Sequence, residues 1–181
     1  MHSEGDRARA LLDGENRIRD LVASRAAVST ALLALCRLGD DVISASRCQV
    51  LLVDPSGRRF ERAIAPSLPT SLVEREVGLV VRPASGPCGW AAAMRTQVMV
   101  PDIAKERRWL TERWPAWSLG AGLRACFSTP ILSRAQMVLG TFSVYRLESG
   151  YPGTPELERT ARLAQLAAMV IEGAQPDAPG P

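Results

Sequence analysis

The sequence predicts an α/β fold of the α+β kind: an antiparallel sheet covered on one side by helices from the two ends of the chain. Three observations carry that expectation. Two pairs of apolar segments are each joined by a short polar turn, which marks antiparallel hairpins. Segments with helical apolar spacing stand at both ends of the chain, outside the hairpins. A length of 181 residues with 46% hydrophobic content gives one domain with a proper core and is short for two.

Residues 6–22 read as a helix, with Leu11, Ile18 and Val22 at one-face spacing. A second helix follows, capped by Ser24 or Ser29. Val28, Leu32, Leu35 and Cys36 form its apolar face, and Gly39 marks its end. "CQVLLVD", the turn "PSGRR" and "FERAIAP" make the first hairpin, and "PSLPTSLVEREVG" a loop and a short helix. "SGPCGWAAAMR" then sets Cys88 between two glycines and a proline, at the first turn of an alanine-rich helix ending near Thr96. "VMVPDI" is a short strand. "AKERRWLTERWPAWSLGAG" is polar, tryptophan-rich and broken by Pro115 and glycines, and it reads as an irregular helical excursion. "LRACFSTPIL" and "VLGTFSVYRL", joined by "SRAQ", make the second hairpin. Thr154 as N-cap, Pro155 at the first helical position and Glu156 and Glu158 in the first turn open a last helix that runs to about Glu172. The organisation expected is a linking helix over 1–22, a domain over 23–173, and a disordered tail or linker over 174–181.

Composition removes several function classes. A net charge of +3 is too small to argue for nucleic acid. No apolar run approaches the ~18 residues of a membrane span, and the N-terminus lacks the hydrophobic core of a signal peptide. A cytoplasmic protein without nucleic-acid or membrane partners is expected. Cys36, Cys48, Cys88 and Cys126 lie far apart with no C-x-x-C pair, which argues against a zinc site and a secreted disulfide scaffold. The single histidine, His2, stands at the terminus. Triads, haem ligation and most transition-metal sites need or strongly prefer an internal histidine. No catalytic residue, metal or cofactor is therefore expected.

Three constellations remain. Cys88 is open to readings as nucleophile, redox sensor, chromophore anchor, or simply a small residue at a tight strand-to-helix junction. A helix N-terminus would favour its thiolate, and the nearest charges in sequence are Arg82 and Arg95. Trp109, Trp114 and Trp117 are interleaved with Arg107, Arg108 and Arg113. Such a set could stack a base and hold its phosphate, or form a hydrophobic lid with solvated arginines; the lid is the simpler reading. On the strand, alternation sets Arg124, Cys126 and Ser128 on one face and Leu123, Ala125, Phe127 and Thr129 on the other.

The last helix carries two apolar stripes: Leu163, Leu166 and Val170, and a second of Leu157, Ala161, Ala164, Ala168 and Ile171. A helix lying only on its own sheet needs one stripe. The second calls for another helix, either the first helix of the same chain or its counterpart in a second copy, and a homodimer through the terminal helices is expected.

The segments "GPCGWAAAMRTQVMVPDI", "GLRACFSTPIL", "VLGTFSVYR" and "TPELERTARLAQLAAMVIE", in that order and spacing, resemble a GAF domain from about Leu35 to Glu172. The helices ahead of them are similar to those leading into GAF modules of bacterial histidine kinases and cyclic-di-GMP synthases and hydrolases. The resemblance implies a sensory or regulatory module with a loop-built pocket on the sheet face opposite the helices. It also implies an unknown small-molecule ligand and an output domain, a kinase or a cyclic-di-GMP enzyme. Cys88, Trp90, Trp109, Trp114, Trp117, Arg124, Cys126 and Ser128 become the pocket residues. GAF-fold reductases of free methionine sulfoxide carry a cysteine in a similar Gly-x-Cys-Gly context, which gives an alternative; a ligand-free dimerisation domain is another. The reductases' second cysteine lies in a loop well ahead of the strand proline, whereas Cys126 lies on the strand close to Pro130, and their third has no match. The Cys-His pair of bilin-binding members, the axial histidine of haem-binding members and the Asn-Lys-x-Phe-x-x-x-Asp-Glu motif of cyclic-nucleotide members are all missing.

Overall fold

The computed structural model describes residues 3–173. Among them the helices are α1 (Glu4–Ala23), α2 (Val28–Val42), α3 (Thr70–Glu76), α4 (Gly86–Met94), α5 (Trp114–Gly120) and α6 (Thr154–Gly173). The strands are β1 (Ser46–Val53), β2 (Phe60–Ile64), β3 (Val98–Val100), β4 (Ala125–Leu132) and β5 (Val138–Arg146), and a 3-10 turn spans Ile103–Lys105. His2 and the expected tail over 174–181 lie outside the described residues.

The strands form one antiparallel sheet in the order β2-β1-β5-β4-β3. Both hairpins form where the turns "PSGRR" and "SRAQ" place them, and β5 joins them by pairing with β1, Val50 opposite Phe142. Alternation along the strands then divides the molecule into two layers. Val50, Ala125, Phe127, Phe142 and Val144 point to one face, where they pack with Leu32, Leu35, Leu163 and Val170 of α2 and α6. Gln49, Leu51, Cys126, Ser128, Thr141, Ser143 and Tyr145 occupy the opposite face, under α3, α4 and α5.

α1 starts at a Ser3 capping box with Asp6 and folds back on α2 through Leu11 and Ile18. It also meets α6: Glu15, buried, accepts two hydrogen bonds from the Arg162 guanidinium at 3.0 and 2.9 Å, and Glu4 pairs with Arg159. The second stripe of α6 is therefore largely covered within the chain. Ala164 and Ala168 are buried, Leu157 and Ile171 half-buried, and Ala161 alone is exposed.

Several boundaries differ from the sequence reading. α2 begins after Ala27 without a side-chain cap, because Ser24 instead closes α1 and donates its hydroxyl to the Leu21 carbonyl. α2 also runs through Gly39 to Val42. A Cβ on Gly39 would stand 2.6 Å from the Cys48 Sγ, so this glycine serves close approach to β1 rather than termination. The cap of α6 is Gly153, whose carbonyl accepts from Leu157 and whose N–H donates to the Glu156 carboxylate, so Thr154 is the first helical residue. Leu123 precedes β4 and packs with the tryptophans, on the side opposite to that expected from alternation. No helix among the described residues is long and apolar enough to cross a membrane.

Candidate functional site

The sheet face under α3, α4 and α5 is polar at its centre, where a structural core would be apolar. Register explains how. Ser128 and Gln49 both stand opposite Ser143, and Cys126 stands opposite Tyr145, so neighbouring strands place these side chains side by side. α4 adds Cys88 from above. Its Sγ lies 3.3 Å from the Ser143 Oγ, which lies 3.0 Å from the Ser128 Oγ. α3 adds Glu76, one helical turn beyond Leu72, so that it shares that residue's buried face. The Glu76 carboxylate accepts from the Gln49 amide at 2.5 Å and from the Tyr145 hydroxyl at 2.9 Å. Gln49, Ser128, Thr141, Ser143 and Tyr145 are each 0% exposed and Glu76 is 3% exposed.

The quoted Gly-Pro-Cys-Gly segment is what brings Cys88 to this cluster. The loop that leads into α4 folds so closely on the helix that a Cβ on Gly89 would stand 2.5 Å from the Arg82 carbonyl oxygen and 2.7 Å from the Ser85 Cβ. Only a residue without a side chain fits there. The tryptophans roof the cluster. Trp109 packs edge-to-face against Trp90 and Trp114, with ring centroids 6.4 and 5.7 Å apart, and its indole donates to the Pro83 carbonyl at 2.8 Å. Arg108 stacks on Trp109 at 4.4 Å while pairing with Glu106, and Arg75 stacks on Trp117 at 5.0 Å. The arginines nearest the rings therefore hold the roof together.

Between the roof and the sheet lies a cavity of about 20 Å³, room for one water, bordered by Leu51, Phe60, Glu76, Cys88, Trp114 and Trp117 among others. Polar atoms of this region are buried without a partner: the Trp114 Nε1 of a residue that borders the cavity and, off its lining, the Gln49 Oε1 and Thr141 Oγ1 of the sheet face and the Ser118 Oγ of α5. A larger groove of about 1080 Å³ lies open to solvent at the rim near the β1–β2 turn and the end of α4, lined by residues such as Asp54, Arg95 and Met137. It includes none of the residues expected to form the pocket.

Burial sets the electrostatics. Loss of hydration raises the Glu76 carboxyl to about 7 against the opposing hydrogen bonds from Gln49 and Tyr145. Burial, and next the Glu76 charge, push the Cys88 thiol up to about 12, against the Ser143 hydroxyl. The acidity expected from the helix N-terminus is thus overridden. Cys126 and Tyr145 are also driven well up, first by burial. At neutral pH this site holds protonated thiols beside a carboxyl poised between its two forms.

Of the residues named from the sequence, Cys88, Trp114 and Trp117 border the cavity. Cys126 and Ser128 belong to the polar floor, and Trp90 and Trp109 stand behind the first row of the roof. Arg124 is a correction. It precedes β4, is exposed, and its guanidinium donates to the Leu123 carbonyl, outside the cavity. The sequence reading missed Glu76, Gln49, Ser143 and Tyr145. The alternation of Thr141, Ser143 and Tyr145 with Phe142 and Val144 was the available signal, as was the spacing of Glu76 from Leu72.

This architecture recurs among solved structures. A GAF domain of a phosphoenolpyruvate-protein phosphotransferase from Coxiella burnetii superposes with TM-score 0.67 at 18% identity, over 91% of this chain and 94% of that one. The free methionine-R-sulfoxide reductase of Neisseria meningitidis, solved with its substrate, superposes with TM-score 0.69 at 14% identity, over 96% of this chain and 93% of that one. At such identities the likeness is one of fold. In sequence, a methyl sulfide methyltransferase-associated sensor of Methanosarcina acetivorans is 32% identical over 168 residues, 93% of this chain but 17% of that protein's length. The model of the GAF domain family matches residues 25–174, from the turn before α2 to the end of α6, and the chain belongs to that family.

Proposed function

We propose that this GAF domain is a non-enzymatic sensory module that takes a small molecule into the cavity between the sheet and its tryptophan roof. The observation that carries this reading is the buried polar floor. Packing alone gives no reason to bury Glu76 among neutral partners, or to leave the Gln49 Oε1 and the Thr141 Oγ1 buried and unpaired at a cost of about 1–3 kcal/mol each. A ligand that engages them offsets that cost when bound. The name of the Methanosarcina acetivorans relative, a sensor, agrees with the reading. Because this chain matches so small a share of that protein, the output domain is part of the proposal: a kinase or cyclic-di-GMP enzyme elsewhere in the same polypeptide.

The route out is the α1–α6 pair. α6 rests on the sheet that forms the cavity floor, and α1 is fastened to α6 by Glu15–Arg162 and Glu4–Arg159. A change in the sheet would reach a neighbouring domain as a small helix shift. A homodimer remains part of this proposal, with its contact moved to the outer faces of these helices, where Leu12 is 53% exposed and Ala161 is exposed. The reductase alternative draws no support from the thiols, which burial keeps protonated at neutral pH.

Hydrogen exchange tests the sensory reading. With a small-molecule extract of cells, amides of residues 105–122 are expected to slow while those of the β1–β2 turn do not change. Unaltered exchange throughout the roof would contradict it.

A further inference from the structure

The proposed ligand site has a charge imbalance that specifies the ligand's chemistry. Glu76 is buried at the cavity wall, and the groups bonded to it, the Gln49 amide and the Tyr145 hydroxyl, are both neutral. None of the ion pairs found among the described residues includes it. The cavity's other acid, Glu112, is already paired with Arg82 at 3.2 Å. Gln49, bonded to Glu76 through its amide nitrogen and lying off the cavity's present lining, has a buried carbonyl oxygen that is a second acceptor without a donor. Trp114, another residue that borders the cavity, shows the reverse: its indole N–H is buried without an acceptor. Trp114 and Trp117 border the same cavity, and aromatic rings attract cations, as Trp117 does the Arg75 guanidinium.

Resting on the sensory reading above, we propose that the ligand is a small primary amine, its ammonium group seated on Glu76 and the Gln49 carbonyl and a hydroxyl or carboxylate oxygen at the far end accepting from Trp114. A cation supplies both the charge and the N–H donors that this wall lacks. A neutral ligand leaves the charge unbalanced, and an anion opposes it. The rise of the Glu76 carboxyl to about 7 is the electrostatic counterpart of the same vacancy. The present space has room for one water only, so the amine enters as the α5 roof moves.

Ethanolamine, ethylene glycol and glycolate form a matched probe set: cation, neutral and anion of nearly equal size. Titrated at constant ionic strength and followed by tryptophan fluorescence and melting temperature, ethanolamine is expected to saturate with a Kd on the order of millimolar, in keeping with its few atoms. The other two are expected to have no effect. Ethanolamine stays protonated from pH 8 down to 5.5, so its Kd should rise about tenfold per pH unit once Glu76 takes up its proton. The other titratable groups at the site are Tyr145, Cys88 and Cys126, which burial keeps neutral across this range, and Glu112, which is held in its ion pair with Arg82. Glu76→Gln should abolish the response, and the pH dependence on wild-type protein stands as the test should that variant misfold. Equal binding of the glycol or glycolate, or a Kd flat with pH, would overturn the amine proposal and leave the pocket reading standing. No response to any of the three would overturn the amine proposal, and the exchange experiment above then decides separately whether the pocket reading falls too.

Discussion

Glu76→Gln is predicted to stabilise the protein, and to do so only where the carboxyl would be ionised. The folded-state value of about 7 against an ordinary 4.5 corresponds to about 3 kcal/mol. Below 4.5 both folded and unfolded chains hold the proton, and burial carries no ionisation penalty. Between 4.5 and 7 the unfolded chain has released it while the folded protein retains it. Folding then takes up a proton, so stability falls as pH rises and the whole penalty is present above 7. A glutamine is neutral throughout. Its amide oxygen can accept from Tyr145 or Gln49, and its N–H can reach the Gln49 oxygen that now has no donor. Urea unfolding followed by tryptophan fluorescence should therefore give a variant minus wild-type difference that is small near pH 5 and widens to roughly 3 kcal/mol at pH 8, about 6–12 °C in Tm. Other titrating groups cancel in the difference. A gap that does not change with pH, or a wild type more stable than the variant at pH 8, would refute the reasoning.

Two further predictions follow from the packing. Cys88 should react with a soluble disulfide reagent no faster than the equally buried Cys36 in native protein, and both should react at once in denaturant; a Cys88 rate more than roughly tenfold above that of Cys36 would mean an accessible, activated thiol. Gly89→Ala should cost upwards of about 2 kcal/mol, because the backbone carbonyl of Arg82 cannot retreat from the added methyl group as a flexible side chain would. Unchanged urea midpoints for that variant would contradict the close approach of the 82–85 loop to α4.

The fold was legible because its signals are local. Alternation in "LRACFSTPIL" and "VLGTFSVYRL", short polar turns, and apolar periodicity at both ends suffice for strands, hairpins and helix faces. Helix ends were less so, since Gly39 looks like a terminator until Cys48 is seen against it. The site was half legible. Cys88, Cys126 and Ser128 stand out by alternation or by neighbouring glycines. Glu76 has only its spacing from Leu72 to set it apart from the exposed Glu74, and what makes it part of the site is contact with Gln49 and Tyr145, 27 and 69 residues away. Arg124 misled for a related reason. Alternation gives a residue's face only within the strand, and β4 begins at Ala125.

The central claim, that a small molecule occupies the cavity at Glu76, is met most directly by native mass spectrometry of freshly purified wild-type and Glu76→Gln protein. The account predicts a one-to-one small-molecule adduct on wild type that collisional activation strips off and that the variant lacks. A bare wild-type protein, or the same adduct at equal occupancy on both, would contradict it.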